Sequence, residues 1–139
     1  MKKTLHNTLA IFILVGSSLL GLSNSTAQTG TLEASPELVT EFTNANGTGN
    51  TALSWTSVGS QRTLITLEKQ KGNKILKEII VVNNLHAKHS NFPIKYIQDG
   101  WTFRFRLYSG DADSSVLGIL LDEVVVQGVA VAVDKNKKQ

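Results

Sequence analysis

The chain has 139 residues, 14 of them Lys or Arg against 11 Asp or Glu, and no cysteine. The missing thiol excludes a disulfide framework, a cysteine nucleophile and the lipid-bearing cysteine of a bacterial lipoprotein, so a fold must stand on its apolar core alone. No run beyond the first thirty or so residues is apolar and long enough to span a bilayer.

Lys2 and Lys3 open the chain, an apolar run extends from Leu9 to Leu22, and Ser23-Asn24-Ser25-Thr26-Ala27 then turns small and polar. That order predicts a secretory signal peptide over residues 1–27, with Ser25 and Ala27 at the small positions before the cleaved bond. Gly16, Ser17 and Ser18 interrupt the run, which is too short for a membrane anchor. The expected location is therefore secreted or periplasmic, with no membrane span once the signal is removed. Loss of Lys2 and Lys3 brings the formal charge of +3 down to about +1, too little to point to nucleic acid.

Residues 28–36 are polar and small and read as a flexible leader. A domain over residues 37–133 and a basic tail over residues 134–139, with Lys135, Lys137 and Lys138, complete the expected organisation. Within the domain a first strand is expected from Glu37 to Thr43. The cluster Asn44-Ala45-Asn46-Gly47-Thr48-Gly49-Asn50 then supplies a turn. Its Asn46-Gly47-Thr48 is formally a glycosylation sequon, though turn chemistry explains the same residues. Thr51 to Thr56 reads as a strand with Leu53 and Trp55 on one face, and Thr63 to Gln70 as another. Lys71-Gly72-Asn73-Lys74 is a polar turn before a strand from Ile75 to Val82, whose run Ile79-Ile80-Val81-Val82 suggests burial on both faces.

Asn83 to Pro93 reads as irregular, Pro93 arguing against a central strand, and Ile94 to Ile97 as a short strand. After the Asp99-Gly100 turn, Trp101, Phe103, Phe105 and Leu107 alternate with Thr102, Arg104, Arg106 and Tyr108, the period of a sheet with one dry side. Ser109 to Ser115 forms a turn, and Val116 to Val133 supplies one or two closing strands. No window shows a capped helical period. The expected fold is all-β, a two-sheet antiparallel β-sandwich.

Three segments resemble the fibronectin type III and immunoglobulin-like modules of secreted bacterial proteins. They are Ala52-Leu53-Ser54-Trp55, similar to the second strand with its core tryptophan; Leu67-Glu68-Lys69, similar to the third; and Asp99 to Leu107, similar to the turn and strand after the fifth. Phe103 stands where those modules place a corner tyrosine. Ile119 to Val126 looks equally like the last strand of a jelly-roll carbohydrate-binding module, which is the alternative topology.

Candidate chemistry is sparse. His86 and His89 offer two imidazoles but no third or fourth metal ligand, and Asp111-Ala112-Asp113-Ser114-Ser115 with Asp122 echoes a calcium loop that has Val116 where glycine belongs. No nucleophile elbow and no phosphate loop occurs, so the chain reads as a non-enzymatic protein without a cofactor. The one surface with character is the polar side of the Trp101 strand. Arg104, Arg106 and Tyr108 are the candidate ligand-binding residues there, suited to carboxylate or phosphate groups on a cell-surface protein or glycan. The same arginines serve equally well as the wet side of a sheet. The implied function is an interaction module in adhesion, surface attachment or envelope assembly. A carbohydrate-binding module, or a periplasmic chaperone or inhibitor that offers a sheet edge to partner strands, is the alternative.

Overall fold

A computed structural model describes residues 27–84, 87–110 and 117–131. The expected signal segment before Ala27, His86, the acidic sequence from Asp111 to Ser115 and residues 134–139 lie outside these described residues.

Eight strands succeed one another without a helix among the described residues: β1 (Thr29–Ser35), β2 (Leu38–Val39), β3 (Gly49–Val58), β4 (Arg62–Lys71), β5 (Lys74–Asn84), β6 (Lys88–Ile97), β7 (Thr102–Gly110) and β8 (Leu120–Gly128). They form a three-stranded sheet in the order β1-β3-β6 and a five-stranded sheet in the order β2-β8-β7-β4-β5. Every pairing is antiparallel except the short β2–β8 contact. The fold is all-β and compatible with a β-sandwich.

The alternation of side chains explains why the two sheets face each other. Leu53 and Trp55 of β3 and Phe103, Phe105 and Leu107 of β7 point to one side of their strands and are buried, while their neighbours face water. One core cluster joins Leu32, Leu53, Trp55, Ile94 and Ile97 of the smaller sheet to Ile65, Leu67, Val82, Phe103, Phe105, Leu107, Val124 and Val126 of the larger. Each fully buried aliphatic or aromatic side chain contributes about 1.5 to 3 kcal/mol through removal from water.

Four expectations are corrected. The supposed flexible leader contains β1, which pairs with β3 from Thr29↔Val58 to Ser35↔Ala52 and buries Leu32. Gly30 lets β1 approach the other sheet: a methyl group there would sit 2.8 Å from the Thr56 carbonyl oxygen and 2.9 Å from Leu107 Cδ2. The strand expected from Glu37 to Thr43 shrinks to Leu38–Val39, with Val39 turned inward. The segment from Asn83 to Pro93 is not irregular, since β5 runs to Asn84 and β6 begins at Lys88. Pro93 sits in β6, an edge strand, the position in a sheet where proline is tolerated.

The fourth correction concerns the run Ile79 to Val82. Its strand, β5, is the outer strand of the larger sheet, and Ile79 and Ile80 are 55% and 42% exposed. The strand buried on both faces is β4, from Thr63 to Leu67, because β5 and β7 flank it.

Candidate binding edge

The structure brings Arg104, Arg106 and Tyr108 together on the outer face of β7. It also sets two carboxylates among them. In register, Glu68 of β4 lies opposite Arg104 and Glu123 of β8 opposite Arg106. Arg104 reaches Glu123 at 3.1 Å and Glu68 at 3.7 Å, and Arg106 reaches both glutamates at 3.4 Å. Two guanidinium groups and two carboxylates thus form a neutral ladder across three strands. An incoming anion would have to displace glutamates already in place, so the face lacks the uncompensated positive potential that draws anions.

His89, named in the sequence as half of a possible metal pair, stacks on Trp55 with ring centroids 4.9 Å apart and meets Phe92 edge-on. It acts as an aromatic cover for the core tryptophan. Among the described residues no group of three His, Cys, Asp or Glu side chains converges.

The sheet edges remain to be compared. A free edge presents unpaired N–H and C=O groups to any extended segment, and proteins guard it with short strands, charges, proline or bulges. The β2 edge is two residues long. On β1, the amide of Leu32 already donates to Asp122 Oδ2 of β8 at 2.7 Å. On β6, Lys88, Pro93 and Lys95 are exposed, Asn91 adopts a positive φ of 60°, and the register against β3 shifts twice.

The β5 edge is set apart by its length and its aliphatic side chains, although its register against β4 also shifts twice. It is 11 residues long, and Ile75, Leu76, Ile79 and Ile80 are 60%, 36%, 55% and 42% exposed along it. Its charged residues are Lys74, Lys77 and Glu78, a net charge of +1. Because the larger sheet outreaches the smaller one, the inner side of β5 is left uncovered around Leu76 and Ile79, while Val82 stays in the core, and Leu67, Lys69, Leu76 and Ile79 line a groove of about 250 Å³ there. A hollow of about 350 Å³ beside β2, lined by Leu38, Thr40, Glu41 and Asn50 among others, has Glu41 as its one ionisable side chain.

The sequence signal for this edge was present in the aliphatic run from Ile75 to Val82, but a run of that kind does not reveal which strand ends a sheet. Comparison of the chain with family models, with curated proteins and with solved structures finds no match.

Proposed function

We propose that this chain is a secreted or periplasmic, non-enzymatic interaction module of fibronectin type III or immunoglobulin-like type that takes up an extended partner segment by strand addition at β5. The length of the β5 edge and its four exposed aliphatic side chains carry this reading. An added strand gains main-chain hydrogen bonds from the edge and side-chain burial from its aliphatic residues, the two sources of affinity in this mode of recognition. The strand order supports the module type, since the first, third and sixth strands face a sheet built on the fourth, seventh and eighth, as in those modules. Phe103 is fully buried at the corner position, so packing takes the place of the usual hydroxyl bond. None of the described aromatic side chains is exposed, so no ring platform favours the carbohydrate-binding alternative.

The test uses a peptide of alternating valine and threonine with lysine at its ends for solubility, titrated into the protein under NMR observation. Binding is expected to protect backbone amides of β5 from hydrogen exchange, and the double variant Ile75→Lys, Ile79→Lys should weaken it at least tenfold without lowering the melting temperature. Protection confined to other strands, or equal affinity for the double variant, would remove β5 from consideration.

A further inference from the structure

Among the described residues, the cation that lines the β5 groove has no carboxylate beside it. Lys69 of β4 points to the inner side of the sheet, where its Nζ lies 5.2 Å from the Tyr96 ring centroid and 5.3 Å from that of Phe103. The arginine–glutamate ion pairs lie on the opposite side of the sheet, and Lys69 has no carboxylate partner among the described residues. Two strand positions further on, Lys71 lies over Trp101 at 5.7 Å. Ring faces attract the ammonium groups but leave their full charge in place. Apolar walls from Leu67, Leu76 and Ile79 lower the local dielectric, which strengthens any pairing made inside the groove.

The register brings Lys69 within reach of an added strand. Lys69 stands opposite Leu76 of β5, and a residue in the same row of the next strand would have its Cβ about 10 Å from that of Lys69, two strand spacings of about 4.8 Å away. A lysine and a glutamate side chain extended toward each other close that gap over the side chain of Leu76.

The chain's own C-terminal segment does not suit this place. Gln127, Thr102, Gln70 and Ile75 lie in one row across the larger sheet, so a segment leaving β8 must cross about four strand spacings, some 19 Å, to lie outside β5. At about 3.5 Å per residue that crossing consumes Val129 to Val133. Val129 and Ala130 are moreover tied to the Val39 carbonyl at 2.9 Å and to Asp99 Oδ1 at 2.7 Å. The sequence beyond Val133 carries Asp134 followed by Lys135, Lys137 and Lys138, so what remains after the crossing has a net charge of the same sign as Lys69.

We infer that the β5 groove selects an extended segment in which aliphatic residues flank an acidic side chain, and that the Lys69 ammonium receives that carboxylate. This rests on the strand-addition reading above. Lys69 is then a specificity residue of the edge, and the aliphatic side chains of β5 supply affinity common to all extended apolar segments.

Three peptides test it, identical in their alternating valine and threonine residues and differing at one central position that carries Glu, Gln or Lys. Fluorescence anisotropy with the protein expressed from the full 139-residue chain should rank them Glu, Gln, Lys, with Glu at least fivefold tighter than Gln and its advantage shrinking as salt rises. The variant Lys69→Glu should invert the ranking. Lys69→Met, which keeps the apolar stem over the rings, should bind all three alike and keep the parent's melting temperature. An unchanged ranking in Lys69→Glu overturns the inference while leaving strand addition in place. Failure of all three peptides to bind the parent overturns both, as does sedimentation that finds the free protein already paired through β5 with a second copy.

Discussion

The side chain of Asp122 holds the backbone of Leu32. From β8 in the larger sheet its Oδ2 accepts the Leu32 N–H of β1 at 2.7 Å, across 90 residues of sequence, while its Oδ1 accepts the N–H of Glu123 at 2.9 Å. This one carboxylate occupies an amide of β1 and ties the smaller sheet to the larger. A hydrogen bond to a charged group contributes about 1.5 to 3 kcal/mol where it is partly buried. Asp122→Ala should therefore lower stability by about that amount in urea denaturation, and Asp122→Asn, which keeps an acceptor oxygen, by less. A loss no larger than that of Thr102→Ala, about half a kcal/mol, would mean the bond contributes nothing.

β1 makes a second expectation possible. Export should leave Gln28 at the amino terminus, since cleavage after Ala27 spares a strand that begins at Thr29; mass spectrometry of the exported protein checks it, and recovery of intact Met1 outside the cytoplasm would refute it. Deleting residues 28–35 as well should uncover Leu107, Leu121 and the edge of β3, beside which Gly30 and Leu32 now sit. The expected loss is more than about 3 kcal/mol, on the scale of removing a large core side chain. A disposable leader would show no loss at all.

The same strand shows where sequence stops being informative. In Thr29–Ser35 only Leu32 is buried, so no apolar period marks it, and its place depends on backbone pairing with β3 and on the closeness that Gly30 permits. β7 is legible because its aromatic residues recur at every second position. Pro93 argues only against a central strand, for proline lacks the donor such a strand needs, and the same residue makes the start of β6 read as irregular. Ile79 to Val82 misled because an aliphatic run is compatible with a buried strand or an exposed edge alike. For the candidate site, Arg104 and Arg106 could be placed on one face from their spacing. Their partners could not, since Glu68 and Glu123 come from other strands and only the sheet order sets them alongside.

Tyr96 yields an expectation about pH. Burial against the core pushes its hydroxyl above the ordinary value of 10.0, because the phenolate is disfavoured where water is scarce. The native protein then holds this proton more tightly than the unfolded chain does, so the associated stability is present below pH 10 and is lost as pH rises beyond it. In paired denaturation series, Tyr96→Phe should show a shallower decline than the parent above about pH 10, and the two curves should run parallel below it. Parallel curves throughout would mean that Tyr96 titrates alike in both states.

The arginine ladder decides between a binding face and a structural one. Each of its ion pairs is partly exposed, with side-chain exposure from 20% to 42%, and such pairs contribute about 0.2 to 1 kcal/mol apiece. Arg104→Glu with Arg106→Glu removes those attractions and crowds four carboxylates onto three adjacent strands. The double variant should lose on the order of 2 kcal/mol at low salt, and the loss should shrink as salt screens the repulsion. Adding Glu68→Arg and Glu123→Arg rebuilds the ladder with its charges exchanged and should restore most of the stability. Peptide binding at β5 should be unchanged in the quadruple variant, because the ladder faces the opposite side of the sheet from Lys69. If instead the double variant folds as well as the parent and fails to bind the native cell surface, the arginines recognise a ligand directly and the glutamates are displaced when it arrives.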